Sequence, residues 1–156
     1  MQQLFAQFAK NHPICYYFNM VDTRFSLSLQ IMMTLAHHGE ELMNSAQLAK
    51  ILKSNPTFIR KLTARLVEAD LVTSFRGKTG GIKLAQKPNS ICLKQIYAAA
   101  TEQKSLMSCH SKPVIKACPV SCCIEDVLNE VVDGINHATL QYLQKKTLAD
   151  MMKQVQ

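Results

Sequence analysis

Apolar residues recur at helical spacing along most of this chain, interrupted once by two short alternating runs. Phe25, Leu29, Met32, Met33 and Ala36 fall on one face of a helix predicted from Thr23 to His37, with Thr23 as its cap and Gly39 as its end. Ser45 is expected to cap a second, short helix that turns Leu48, Ala49, Ile51 and Leu52 inward. Asn55-Pro56 then supplies a cap followed by a proline at the first helical position, opening a third helix to about Ala69. Its inward stripe is Ile59, Leu62, Leu66 and Ala69; Thr57, Lys61, Ala64 and Arg65 take the opposite face, with Arg60 on the flank.

Leu71 to Phe75 alternates weakly as a strand, and Ile82 to Ala85 returns as another. Arg76-Gly77-Lys78-Thr79-Gly80-Gly81 between them is a turn whose glycines permit positive φ and close backbone approach. A further helix is predicted over Ile91 to Ala100, apolar at Ile91, Leu93, Ile96 and Tyr97. Residues 101–117 read as a loop containing His110 and Pro113. From Pro119 a long helix carries Ile124, Val127, Leu128, Val131, Ile135, Ala138 and Tyr142 at three- and four-residue spacing. That stripe suits a dimer seam; packing against its own domain is the alternative. Thr147 is positioned to cap a final short helix, Leu148 to Met152.

Short helix, turn, capped basic helix and Gly-rich hairpin, in that order, spell a winged helix-turn-helix. The expected fold is therefore mainly α with a small β wing, ending in a long dimerisation helix. The expected organisation is an extension over 1–19, a winged helix-turn-helix over 20–100, a cysteine-bearing loop over 101–117, and a dimerisation helix with its tail over 118–156. Residues 1–19 suit a short amphipathic helix ended near Pro13, and Met20 is an alternative natural start.

Charge sharpens this reading. The chain carries +7 overall, but ten Lys/Arg against two acids, Glu68 and Asp70, lie between Lys50 and Lys94. A basic surface confined to one segment is the footprint of a polyanion binder; a soluble basic domain is the bland alternative. A helix lined with Thr, Lys and Arg suits the major groove, so Thr57, Arg60, Lys61 and Arg65 are the candidates there, behind Asn55. Arg76, Lys78 and Lys83, with the Gly80-Gly81 backbone, are the candidates for the wing contact with phosphates or a minor groove. Thr23, Arg24 and Ser45 can add phosphate bonds at helix starts.

The composition, 47% apolar and 19% charged, is globular, and no apolar run is long enough to span a bilayer. Six cysteines are many for 156 residues: Cys15, Cys92, Cys109, Cys118, Cys122 and Cys123. Residues 1–20 hold one Lys, no long apolar core and no small-residue cleavage site, so a cytoplasmic location is expected. There, clustered cysteines point to sensing, metal or redox chemistry rather than structural disulfides. Cys118 directly precedes Pro119, where helix amides and dipole favour a thiolate, and Lys112 and Lys116 add to this. Such a thiolate is open to peroxide, hypochlorite or electrophiles, with Cys109 as a resolving partner. Cys122 lies one helical turn further on. Cys109, Cys118 and Cys122, with His110 as an extra ligand, are instead candidates for a metal. Simple burial of the cysteines is the third reading, and Cys15 and Cys92 look structural. His37 and His38, beside Gly39, look capping or solvated rather than ligating.

From Met20 onward the chain resembles the Rrf-two family of bacterial winged-helix regulators (the IscR/NsrR/CymR family), and within it the YwnA-like branch. Asn55-Pro56 followed by Ile59-Arg60, Leu66, Ala69 and Leu71-Val72 carries the likeness, as do Gly77, Gly80-Gly81 and Leu84-Ala85 of the wing. Cys118-Pro119-Val120 at the long helix completes it. The resemblance implies a homodimer on a palindromic double-stranded operator, usually acting as a repressor. Iron–sulfur members of the family carry three loop cysteines with roughly five to seven residues between neighbours. Here eight residues separate Cys109 from Cys118 and three separate Cys118 from Cys122, which departs from that pattern. No cofactor is firmly implied, and an iron–sulfur cluster stays open. A small cysteine-dependent redox enzyme is disfavoured: there is no Cys-x-x-Cys beside a βαβ pattern, no triad-like set and no phosphate-cradling loop. A protein–protein adaptor that has lost DNA binding is disfavoured by Arg60, Lys61, Arg65, Arg76 and Lys78.

Overall fold

The computed structural model describes residues 22–77, 80–102 and 119–155, with side chains from Cys123 onward in the last stretch. The extension over 1–19, nearly all of the 101–117 loop, Lys78, Cys109, His110, Cys118 and the Cys122 side chain lie outside the described residues.

Helix α1 spans Arg24–His38. Thr23 occupies its N-cap position without a side-chain cap bond; Ser26 Oγ donates to the Thr23 carbonyl instead. Its buried residues are Ser28, Ile31, Met32 and Leu35, while Phe25, Leu29, Met33 and Ala36 are half-buried. The helix is wedged between neighbours, so its buried stripe is rotated relative to the expected one. Phe25 meets the edge of Tyr97 with ring centroids 5.5 Å apart. Gly39, at φ 61°, ends the helix.

Helix α2 spans Ser45–Ile51, and its cap is Asn44, not Ser45. Asn44 Oδ1 accepts from the amides of Ala46 and Gln47, and Gln47 Oε1 accepts from the Asn44 amide. Asn44-x-x-Gln47 forms a reciprocal capping box; Leu48, three residues after Ser45, has no polar group to answer with. Leu48 and Ala49 are buried, but Ile51 is 51% exposed, because this helix has seven residues and the turn at Lys53 (φ 49°) follows at once.

Helix α3 spans Pro56–Glu68, capped as expected by Asn55, whose Oδ1 accepts from the Thr57 amide at 2.8 Å. Ile59, Leu62, Thr63 and Leu66 are buried. Ala69 is exposed rather than part of the stripe: it is the C-cap, and Asp70 at φ 54° turns the chain so that the Leu71 amide donates to the Leu66 carbonyl.

Strands β1 (Val72–Phe75) and β2 (Gly81–Leu84) pair antiparallel, Val72 opposite Leu84 and Phe75 opposite Gly81. Val72, Ser74, Ile82 and Leu84 share the face toward the domain; Thr73, Phe75 and Lys83 share the outer face. The loop-side half of β2 is pinned along its other edge. Met43 and Ile82 exchange backbone hydrogen bonds of 3.1 and 2.9 Å. A Cβ on Gly81 would lie 3.0 Å from the Met43 backbone, and one on Gly80 would lie 2.3 Å from the Phe75 carbonyl oxygen. Both positions need glycine for that close approach.

After a 3-10 turn at Pro88–Ser90, helix α4 spans Leu93–Thr101. Ile91 and Cys92 precede the helix, where the expected boundary placed them inside; Cys92 is the extended N-cap. This start is tied to the far end of the chain: the Leu93 amide donates to the Lys146 carbonyl and the Leu148 amide to the Ile91 carbonyl. Helix α5, Pro119–Gln144, has 26 residues and so spans about 39 Å. Helix α6, Leu148–Met152, follows. Leu143 and Leu148 join Ile31, Leu35, Ile59, Leu66, Ile91 and Ile96 in one core. The end of the chain is thus anchored in the core that positions α3.

Thr147 caps α6 as expected, in a reciprocal box with Asp150. The Thr147 backbone amide, its hydroxyl and Lys153 all favour the Asp150 carboxylate, lowering its pKa from 3.8 to about 2. A depressed acid pKa contributes stability above the unfolded value and loses it as pH falls through the folded value. The melting temperature of Asp150→Asn should therefore fall below that of the parent at neutral pH, and the gap should narrow between about pH 4 and pH 2. A gap that stays constant across that window would remove the carboxylate from the account.

Candidate nucleic-acid interface

Between α3 and the wing runs a groove of about 410 Å³. Asn44 and Ser45 line it from the start of α2, Arg60 and Thr63 from α3, and Ser74 to Gly77 with Gly80 to Ile82 from the hairpin. The Asn55 cap and Pro56 set where α3 begins, and the Met43–Ile82 pairing sets where the wing stands. Five residues expected at the interface, Ser45, Arg60, Arg76, Gly80 and Gly81, meet in this groove. Arg60 is exposed; its Nε donates to the Pro56 carbonyl in a long contact of 3.4 Å, too weak to immobilise the guanidinium. Thr57 and Lys61 are exposed on the same helix, and Arg76 is exposed at the end of β1.

Three expected contacts are engaged elsewhere. Arg65 Nη1 donates to the Ala100 carbonyl at 3.0 Å, and its Nη2 pairs with Glu102. It is 16% exposed and closes the C-terminus of α4, where a cation complements the last carbonyls. Arg65 faces a second groove of about 760 Å³ between α3 and α4, not the one beneath the wing. Arg24 pairs with Asp22, its Nε 2.7 Å from both carboxylate oxygens, which lowers the Asp22 pKa. Lys83 pairs with Glu40 and lies 5.7 Å from the Phe75 ring centroid. Thr23 is exposed beside α1. Arg65→Ala should lower thermal stability by about 1.5–3 kcal/mol, the usual contribution of a hydrogen bond to a charged group. Thermal melts unchanged from the parent would contradict a structural role.

Sequence reasoning missed Asn44, Thr63 and Phe75 in the groove and Glu40 beside the wing. The Asn44-x-x-Gln47 spacing was a readable signal for the first; the others depend on the folded arrangement.

On α5 the apolar stripe faces outward. Ile124, Val127, Leu128, Val131, Ile135 and Tyr142 are exposed, as is Ala138, whereas Leu140 and Leu143 pack toward the core. The helix therefore carries two apolar faces, and its own domain covers one of them. Cys92 is half-buried and Cys123 exposed. Among the described residues no group of three or more His, Cys, Asp or Glu side chains is placed to hold a metal ion, and no helix is long and apolar enough to cross a membrane. His37 and His38 stand edge to face, and His38 Nδ1 lies 3.0 Å from Glu41.

A helix-turn-helix whose second helix meets an antiparallel basic wing defines a winged-helix DNA-binding regulator. The family model of Rrf2, described as an iron-dependent transcriptional regulator, matches residues 21–154, and the chain belongs to this family. It is 29% identical over 133 residues to YwnA of Bacillus subtilis, named as an HTH-type transcriptional regulator, covering 85% of this chain and 97% of that one. It is 29% identical over 133 residues to the HTH-type transcriptional regulator NsrR of Bacillus subtilis, covering 84% and 87%. Among solved structures it is similar to T. potens IscR, with a TM-score of 0.65 and 28% identity over 87% of this chain and 88% of that one. These relatives are transcriptional regulators rather than enzymes, and so is this chain.

Proposed function

We propose that the protein is a homodimeric repressor that reads a palindromic operator and releases it when cysteines ahead of α5 are oxidised. The observation that carries the DNA reading is the groove in which Ser45, Arg60, Arg76 and the Gly80-Gly81 backbone converge. With α3 in the major groove, Thr57, Arg60 and Lys61 reach base edges and phosphates; Arg76 and Lys78 serve the wing. The exposed stripe on α5 supports pairing of two copies, which places two α3 helices on two half-sites.

Cys118 immediately precedes Pro119, the first residue of α5. The amides of that helix start favour its thiolate. Peroxide converts the thiolate to a sulfenate with release of water. Cys109 thiol then condenses with the sulfenic acid, releasing a second water and leaving a disulfide; two electrons pass to the peroxide in all. A constraint at the start of α5 shifts the seam and the separation of the two α3 helices, and operator affinity falls only as far as the two dimer geometries differ in affinity. The test is an anisotropy titration on operator DNA with anaerobically purified protein, reduced and then mildly oxidised. Tight reduced binding, lost on oxidation and restored by reductant, is expected. Equal binding in both states would overturn the thiol switch and leave the DNA reading standing.

The iron-dependent description of the family model favours a second reading, in which Cys109, Cys118 and Cys122, with His110, hold an iron–sulfur cluster. The cysteine spacing departs from the five-to-seven-residue pattern of cluster-bearing members, so the donor set does not match theirs. Iron and sulfide content with visible absorption of anaerobic protein separates the two readings.

A further inference from the structure

We infer that Glu40 is an electrostatic latch that holds Lys83 away from DNA and thereby sets how tightly the wing grips it. The inference rests on the DNA-binding reading above. The latch is built by the backbone. Gly39 turns the chain out of α1, and the Met43–Ile82 hydrogen bonds lay the following segment beside β2. Glu40 lies three residues before Met43, and Lys83 one residue after Ile82 on the outer face of the wing. The Lys83 ammonium accordingly pairs with the Glu40 carboxylate and lies 5.7 Å from the Phe75 ring centroid. Glu41, the neighbouring acid, is turned to His38 instead.

Lys83 is two residues along β2 from Gly81, which lines the groove, a separation of about 7 Å. A flexible four-carbon stem lets its ammonium swing that far. Glu40 is 90% exposed, and an ion pair with one partner so open to water is only weakly held. A phosphate arriving at the wing therefore competes with Glu40 for the same cation. The chain thus carries one wing cation already neutralised from within.

The test is a double-mutant cycle of Glu40→Gln and Lys83→Gln read as the salt dependence of operator affinity. Glu40→Gln should bind more tightly at low salt, with an unchanged melting temperature. Its slope of log affinity against log salt should steepen by about 0.9, the value of one more phosphate contact. The gain over the parent should then shrink about 3- to 4-fold between 50 and 200 mM salt. In the Lys83→Gln background Glu40→Gln should leave the slope unchanged. A slope that does not change in Glu40→Gln, or that steepens equally without Lys83, would overturn the latch. A parent protein with no steep salt slope of its own would instead overturn the DNA reading beneath it.

Discussion

Replacing Val131 and Ile135 together by glutamate is expected to give a folded monomer whose operator affinity is about 10²- to 10⁴-fold weaker, the range by which linked binding exceeds single-site binding. Both side chains are exposed in the single chain, 54% and 41%, so neither supports its own core. The core end of α5 is held by Leu140 and Leu143, which the substitutions leave untouched. The stripe is also flanked by Glu125, Asp126, Glu130 and Asp133, so added glutamates meet like charge as well as lost apolar contact. Sedimentation gives the mass and anisotropy gives the affinity. A variant that remains dimeric would place the seam elsewhere on the molecule. A monomer with parental affinity would show that operator binding does not require two half-sites.

Arg60→Ala should weaken operator binding by about 1–3 kcal/mol, some 5- to 150-fold, with little change in melting temperature. The guanidinium is exposed at the groove between α3 and the wing, and among the described residues its side chain is held by the long contact to Pro56. Its removal leaves no buried group unsatisfied. Arg65, one and a half turns further along α3, should behave in the opposite way: its loss is felt in stability, because it closes the end of α4. The two arginines thus give a matched pair in which binding and folding separate. Parental affinity in Arg60→Ala would remove that residue from the interface.

What could be read from the sequence follows the distance over which each decision is made. Asn55-Pro56 and Thr147 with Asp150 cap their helices through partners two or three residues away, and both were legible. The outward stripe on α5 was legible because a long helix repeats its pattern many times. The α2 cap went to Asn44 because a reciprocal box outranks a lone hydroxyl, a local rule that Ser45 masked. Ile51 and Ala69 sit at helix ends, where the chain leaves the helical path before the periodic pattern does. The charged side chains were least legible. Lys83 meets Glu40 across 43 positions and Arg65 meets Glu102 across 37, and no local pattern reports pairings of that separation. Arg24 is the exception: Asp22 stands two residues away, and the pairing was readable. A count of cations therefore overstated the free positive charge and left its geometry open, while the groove with Arg60 and Arg76 emerged only once the wing was folded against α3.

In the proposed function α3 and the wing read DNA sequence as a symmetric pair. The most direct test is selection of bound duplexes from a random-sequence pool by the reduced protein. The expected result is enrichment of an inverted repeat whose half-site centres lie about 10 base pairs, or a multiple, apart. The selected duplex should bind at least about 10³-fold more tightly than a scrambled one at the same salt. Retained DNA with no enriched sequence would contradict it, leaving a basic surface that binds the backbone without reading it.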